Sequence, residues 1–220
     1  MANQRILPVF ALLLSSLGVS AQKITPAKVP FVRVRWSATT LHITYQTAKI
    51  DHDFSESLPD QSKPEFERFW LHEIHNVRTQ RLLEKGGRVY MLLDIEGPSR
   101  GPEGASHYCG AGTEKALALF QLDSEGLLDE PQVVNYESCL LTIEPPDASE
   151  NSGPTPLSSK QPFVKVFTLT RMRGPADPRD FAVNRDLVTV ETRFDPLRPE
   201  RGLVTKEKVE HYKSAAAKPN

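Results

Sequence analysis

Residues 31–45 read FVRVRWSATTLHITY, and their side chains alternate as a β-strand requires. In Phe31–Trp36 the two arginines fall on one side, while the two valines and the tryptophan fall on the other. In Leu41–Tyr45 the apolar residues again alternate with polar ones, and Ser37–Thr40 between the two runs would form a short turn. A period of two with β-branched and aromatic residues is typical of strands. The stretch therefore predicts a β-hairpin.

Five further segments downstream are strand-like, and a turn containing Gly or Pro follows each of them. Short strands separated by turns, with few helices between them, are typical of antiparallel sandwiches and barrels. We therefore expect a mainly β (α+β) fold: an antiparallel β-sandwich or open barrel with at most one or two helices and a single disulfide. The five segments are Val89–Leu93, Ala116–Leu122, Val133–Ile143, Phe163–Met172 and Leu187–Phe194.

Residues 64–85 contain the one segment that we expect to be helical. Ser62 and Glu65 fit a capping box, and Gly86 with Gly87 would end the helix. A strand over Phe69–Val77 is the alternative, because that part is also aromatic and β-branched. The apolar residues at helical spacing are Phe66, Trp70, Ile74 and Val77.

Met1–Ala21 has the three parts of a secretory signal peptide. Arg5 provides the positive charge, Ile6–Val19 is mostly apolar, and Val19-Ser20-Ala21 is a small-x-small cleavage site. The apolar run is shorter than the about 20 residues that cross a bilayer as a helix. A buried N-terminal helix is the alternative, against which Pro8 argues. We expect export to the bacterial periplasm, with an extracellular location as the alternative. The mature chain has no Asn-x-Ser/Thr site, which favours the periplasm over a eukaryotic secretory route.

The mature chain, residues 22–220, is expected to form a single β-rich domain without a membrane span. Polar residues 49–63 predict a loop, and the Pro/Ser-rich residues 145–162 predict a mobile one. The 220-residue chain carries 27 Lys and Arg against 28 Asp and Glu, a formal net charge of −1. Because no basic excess is present, we expect no nucleic-acid partner.

Cys109 and Cys139 are the two cysteines of the chain. In an exported protein such a pair predicts a structural disulfide, whose loop closure is worth about 3–4 kcal/mol in the chain-entropy model. A redox or metal pair is the alternative, but the Cys-x-x-Cys spacing typical of such sites is absent. We therefore predict the disulfide Cys109–Cys139.

Residues 107–114 form the segment in which we expect a binding surface. Gly110 and Gly112 follow Cys109 and would let backbone amides converge on an anion or on a partner's carboxylate. The alternative is that both glycines serve only a bulge or a close approach at the disulfide. The candidate binding residues are His107, Tyr108, Gly110, Gly112 and Glu114.

Three catalytic or metal-binding motifs fail in their context. Residues 97–101 match G-x-S-x-G, but Pro102 and Gly104 stand where the helix of a nucleophile elbow should begin. His72 and His75 are spaced i, i+3, whereas a zinc-peptidase helix needs i, i+4. Residues 123–126 lack the glycine position of a calcium loop and predict a hairpin turn. We therefore expect neither metal nor cofactor.

These observations favour an exported, non-catalytic binding protein. Its partner is expected to be another envelope or secreted protein, for which it would serve as an inhibitor, an immunity-type partner or an assembly factor. The alternative is a hydrolase-type enzyme whose residues converge around Cys109–Glu114. Its candidate residues are His107, Glu114, Asp94 and Glu96. A structural envelope component is a third hypothesis.

Overall fold

The computed structural model describes residues 30–55, 62–69, 71, 73–98, 112–139, 141–144, 157, 159–172 and 185–211. These residues form antiparallel strands and short 3₁₀ turns, and they contain no α-helix. No helix in this part of the chain is long and apolar enough to cross a membrane. The prediction of a mainly β fold is confirmed.

A small sheet of three strands begins the fold. Its strands are β1 (Val32–Ser37), β2 (Thr40–Tyr45) and β3 (Ala48–Asp53), paired in chain order. The predicted hairpin is confirmed as β1 and β2, which pair from Val32 opposite Tyr45 to Ser37 opposite Thr40. The loop expected to begin at residue 49 is wrong at its start, because Lys49 to Asp53 belong to β3.

The second sheet has eight strands in chain order, each antiparallel to the next. Its two end strands are not paired with each other in the described residues, so the sheet is not closed. The five predicted segments all contribute strands to it. The strands are β4 (Asn76–Lys85), β5 (Arg88–Pro98), β6 (Thr113–Leu122), β7 (Gln132–Ser138), β8 (Ile143–Glu144), β9 (Phe163–Met172), β10 (Arg185–Phe194) and β11 (Leu203–His211).

The helix expected over residues 64–85 is wrong. A single 3₁₀ turn covers Glu65–Glu67, and the chain then runs to β4. The expected capping bond is absent, because Pro64 holds the cap position without a side-chain hydrogen bond. The apolar residues fail as a helix face because they enter different cores: Phe66 packs on one face of the large sheet and Ile74 on the other. The alternative, a strand over Phe69–Val77, is also wrong for most of its length, because β4 includes only its last two residues and continues to Lys85.

Two hydrophobic cores lie on opposite faces of the eight-stranded sheet. On the outer face, Leu41 and Ile43 of the small sheet pack against a set that includes Met91 and Phe120. On the other face, which we call the inner face, Leu92 of β5 is buried together with Phe167 of β9. Alternation along β5 supplies both cores, because successive side chains of a strand point to opposite faces.

The large sheet folds over on itself and encloses its inner face. Arg81 of β4 and Phe163 of β9 would lie about 24 Å apart across five strand spacings of a flat sheet. The Arg81 guanidinium instead lies 5.5 Å from the centre of the Phe163 ring. At the same end of the strands, the Leu203 backbone N–H donates to Gln132 Oε1 at 2.6 Å. Strands β9–β11 therefore cover the inner face of β4–β7.

Gly97 allows a second close approach on the outer face. The chain before β4 passes directly over it, and His75 N–H donates to the Glu96 carbonyl at 2.9 Å. A Cβ atom at position 97 would collide with the Glu73 carbonyl and lie 2.7 Å from the Leu71 side chain. Gly97 is thus needed for packing within β5, which continues to Pro98.

Candidate functional site

Five polar side chains of the folded sheet form the inner polar cluster. Two come from β4, and the others come from β5, β7 and β9. The register of the paired strands places the side chains of β4, β5 and β7 on the inner face. Contacts with β9 across the fold confirm this for Arg81 and Tyr136. The cluster comprises Gln80, Arg81, Asp94, Tyr136 and Lys165.

Asp94 is the carboxyl at the centre of the cluster. It accepts a hydrogen bond of 2.6 Å from the Tyr136 hydroxyl and one of 3.2 Å from Gln80 Nε2. Burial raises the pKa of Asp94 above its usual value, against the opposing effects of these hydrogen bonds and of the Lys165 charge. Burial and the neighbouring Asp94 also raise the pKa of Tyr136. The tyrosine therefore remains a hydrogen-bond donor to Asp94.

Two β-bulges deliver the partners of Asp94. The β4–β5 register shifts between Thr79 and Arg81, so Gln80 is the extra residue of β4. The β6–β7 register shifts after Lys115, and Tyr136 has no partner on β6. A bulge re-aims a side chain by one position and is common next to functional sites. Both bulged residues hydrogen bond to the same carboxyl, so the distortions in β4 and β7 serve one site.

Lys165 contributes a cation from the strand that crosses the inner face. Its Nζ lies 4.1 Å from the centre of the Tyr136 ring, and its side chain is only partly exposed. Burial lowers the pKa of Lys165, while the Asp94 charge opposes that shift. No ion pair joins this ammonium to a carboxylate in the part of the chain that the structure describes.

Arg81 is the second cation, and it is nearly inaccessible, with 4% of its surface exposed. It lies opposite Leu92 on the inner face and over the Phe163 ring. Its Nη1 donates to the Gln80 carbonyl at 2.7 Å, whereas its Nε, buried as well, has no hydrogen-bond partner. Burial lowers the pKa of Arg81. Among the described residues, no carboxylate pairs with this guanidinium.

The cluster can bind an anionic group that also carries a hydrogen-bond donor. Arg81 offers a positive charge that no carboxylate pairs with among the described residues. Lys165 offers an ammonium whose charge interacts with Asp94, and Asp94 offers acceptor oxygens. The neighbouring ion pair between Lys115 and Glu137, at 2.8 Å, is already complete. No group of three or more His, Cys, Asp or Glu residues with metal-binding geometry occurs among the described residues.

The predicted binding segment is only partly described. His107, Tyr108, Cys109 and Gly110 lie outside the described residues, and so does the Ser99 of the G-x-S-x-G match. Gly112 leads directly into β6, and Glu114 is buried with 2% of its surface exposed. Glu114 lies opposite Gly97 on the outer face, away from Asp94, and accepts a 3.4 Å hydrogen bond from Asn135 Nδ2. It therefore does not join the cluster.

Of the residues named for the enzyme alternative, Asp94 and Glu96 lie on the same face of β5. Glu96 is opposite Lys115, and Asp94 is opposite Leu117. Gln80, Arg81, Tyr136 and Lys165 were not predicted. One feature of the sequence could have indicated Lys165: it is a charged residue in the apolar run Phe163–Phe167, which otherwise reads as a buried strand.

Two remaining sequence predictions concern a turn and the cysteines. Asp123 forms the expected turn, where its N–H donates to the Gly126 carbonyl at 2.9 Å. Cys139 follows β7, but Cys109 is not described, so the disulfide between them stays a prediction. His72 of the rejected zinc motif is also outside the described residues.

Comparison with known proteins gives no relative for this chain: no family model, no curated protein and no solved structure matches it.

Proposed function

We propose that the chain is an exported, non-catalytic binding protein that binds a carboxylate-bearing segment of another exported protein at the inner polar cluster. The observation that carries this proposal is the buried guanidinium of Arg81, which has an unpartnered Nε and no counter-ion. A buried, unpaired charge costs several kcal/mol of folding free energy. A carboxylate supplied by a partner would remove much of that cost on binding.

Lys165 and Asp94 define the rest of the ligand. Lys165 is the accessible cation, so it would meet the ligand carboxylate before Arg81 does. Asp94 already holds the Tyr136 hydroxyl, and its oxygens can accept a further N–H or O–H from the ligand. A polypeptide carries such donors close to its carboxylates. A buried polar site of this kind selects strongly against ligands that leave its groups unpaired.

Export remains part of the proposal. Residues 1–21 would be removed as a signal peptide, and the Cys109–Cys139 disulfide would form in the periplasm or outside the cell. Thiol titration of the unfolded, unreduced mature chain should detect no free thiol. Two free thiols per chain would contradict the disulfide and weaken the case for an oxidising compartment.

Co-purification of the mature chain, residues 22–220, from native envelope and culture-supernatant extracts tests the function. We expect a stoichiometric protein partner that is lost from the variants Arg81→Met and Lys165→Met. Lys206→Met on β11 is the matched control, because it removes an exposed cation two strands from β9 that points to the face opposite Lys165. A partner retained by both cluster variants would place the interface elsewhere. A chain that recovers no partner at all would contradict the binding function.

A hydrolase-type enzyme is the second candidate, because the raised pKa of Asp94 is a property of general acids. Such an enzyme would lose its activity in Asp94→Asn while retaining its fold. Ester, amide and glycoside substrates assayed with the mature chain and this variant separate the two candidates. Turnover that depends on Asp94 favours the enzyme, and no turnover together with a captured partner favours the binding protein.

A further inference from the structure

The outer face of the small sheet gathers three cations. Antiparallel pairing aligns Arg33 and Lys49 on either side of Thr44. The next row on the same face places Arg35 beside His42. Directly opposite residues share a face of an antiparallel sheet. Arg33, Arg35 and Lys49 therefore all point away from the core that the small sheet covers.

None of these cations is neutralised within the described chain. No ion pair joins Arg33, Arg35 or Lys49 to a carboxylate there. The one carboxylate in the two rows, Asp51, is held by His42 Nδ1 at 2.7 Å. The three cations thus outnumber the one carboxylate, and the two rows carry a net positive charge.

A depression of about 340 Å³ lies between these side chains, and we call it the basic pocket. An adjoining depression of about 430 Å³ shares Arg33 and Thr44 with it and is lined by Phe31. Phe31 is 78% exposed, the most exposed of the large apolar side chains described. The pocket therefore combines three cations with an apolar rim. The residues lining the basic pocket are Arg33, Arg35, His42, Ile43, Thr44, Lys49 and Asp51.

We propose that the basic pocket binds a phosphate-type oxyanion attached to an apolar or aromatic group. The guanidinium fork of arginine matches a tetrahedral oxyanion through paired hydrogen bonds, and lysine adds a point charge. The face spans about 10 Å across two strand spacings and about 20 Å along six residues. That area of about 200 Å² is far below the about 800 Å² that each partner buries in a standard protein interface. The pocket therefore suits a small group better than a folded protein.

This site is independent of the inner polar cluster. The small sheet packs on the outer face of β4–β6 through Leu41 and Ile43, and the basic pocket lies on its opposite side. Loss of the pocket therefore leaves Arg81 and Lys165 in place. Failure of either proposal can be recognised without reference to the other.

Binding of inorganic phosphate by calorimetry, and of phosphatidylglycerol vesicles by sedimentation, tests the proposal on the mature chain. The test variant is Arg33→Gln/Arg35→Gln/Lys49→Gln. The control Arg193→Gln/Arg201→Gln/Lys206→Gln removes the same charge from exposed positions elsewhere. We expect the pocket variant to lose at least tenfold in affinity and the control to remain within twofold. If added phosphate displaces the protein from the vesicles, a free phosphate group is a sufficient ligand. If the protein stays bound to the vesicles in the presence of phosphate, the ligand is a lipid headgroup.

Three outcomes would overturn the proposal. The first is that the protein binds neither phosphate nor anionic vesicles. The second is an equal loss of affinity in the pocket variant and in the control, which would reflect net charge alone. The third is binding of a poly-glutamate peptide without binding of phosphate or vesicles, which would identify an acidic polypeptide as the ligand. Circular dichroism of both triple variants must match the unsubstituted chain, and the single variant Arg35→Gln repeats the comparison if the triple variant unfolds.

Discussion

Two arginines that lie on strands of the same folded sheet have opposite environments. Arg171 of β9 donates to Glu65 through Nη2 at 2.9 Å and to Glu207 through Nη1 at 3.0 Å. These hydrogen bonds raise the pKa of Arg171, whereas burial lowers the pKa of Arg81, which has no carboxylate partner among the described residues. Arg171 joins three segments of the chain and is fully explained by the fold. Arg81 adds no comparable link, which is why we assign it to a ligand.

Replacing Arg171 should give the larger loss of stability. Arg171→Met leaves Glu65 and Glu207 unpaired while both are partly buried. We expect the free energy of unfolding to fall by about 2–3 kcal/mol, between the values for surface and buried ion pairs. Urea denaturation of the two chains measures this change. The exposed pair Lys208–Glu210 provides the control, because solvent screens this ion pair and Lys208→Met should leave the free energy of unfolding unchanged.

Replacing Arg81 should change stability in the opposite direction. Arg81→Met removes a buried charge with an unsatisfied Nε and leaves a side chain of similar length over Phe163. Exchanging unpaired buried charge for an apolar group is neutral or stabilising, so we expect a gain of about 1 kcal/mol. The same denaturation experiment measures it. A loss as large as that of Arg171→Met would mean that the guanidinium stabilises the fold, and the comparison between the two arginines would fail.

Two carboxyls, Glu65 beside Arg171 and Asp94 in the inner polar cluster, should respond oppositely to pH. Burial is the largest influence on Glu65, and it raises the pKa. The hydrogen bonds from Arg171 and the charges of Arg171 and Arg68 outweigh it together, so the pKa of Glu65 lies below its usual value. A depressed folded pKa stabilises the fold above the unfolded value, and this contribution is lost as pH falls through the folded pKa. Asp94, whose pKa is raised, instead destabilises the fold as pH rises above its unfolded value of about 4.

Two neutral variants measure this difference between pH 3 and pH 7. Relative to the unsubstituted chain, Glu65→Gln should lose stability as pH rises, and Asp94→Asn should gain it. The two stability differences should therefore change with pH in opposite directions, because the pKa of Glu65 is lowered and that of Asp94 is raised. If the stability differences of both variants changed with pH in the same direction, the opposite pKa shifts of Asp94 and Glu65 would be contradicted.

The sequence predicts the strands better than it predicts the site, for a physical reason. Phe163–Met172 is recognisable as β9 because its β-branched and aromatic content is local. β3 was missed because the polar residues that follow Ile50 resemble a loop. The helix error at residues 64–85 arose because side chains at helical spacing are shared between two cores.

The inner polar cluster depends on features without a local sequence pattern. Gln80 and Tyr136 reach Asp94 only through bulges, and a bulge depends on how two strands pair. Arg81 reaches Phe163, and Lys165 reaches Tyr136, only because the sheet folds over and brings β9 to β4 and β7. Asp94 was the one member identified beforehand, since it lies in the strand that leads to the segment predicted to bind.

The smallest expected effect on stability comes from Lys165. Its ammonium is partly exposed and makes no ion pair in the described chain, so Lys165→Met should change the free energy of unfolding by less than about 0.5 kcal/mol. Its effect on partner affinity should be at least tenfold, because Lys165 is the accessible cation of the cluster. Lys165→Arg keeps the charge over Tyr136 and should recover part of the affinity. If Lys165→Met instead weakened the fold as much as Arg171→Met does, this cation would be a structural one, and only Arg81 would remain to mark the ligand site.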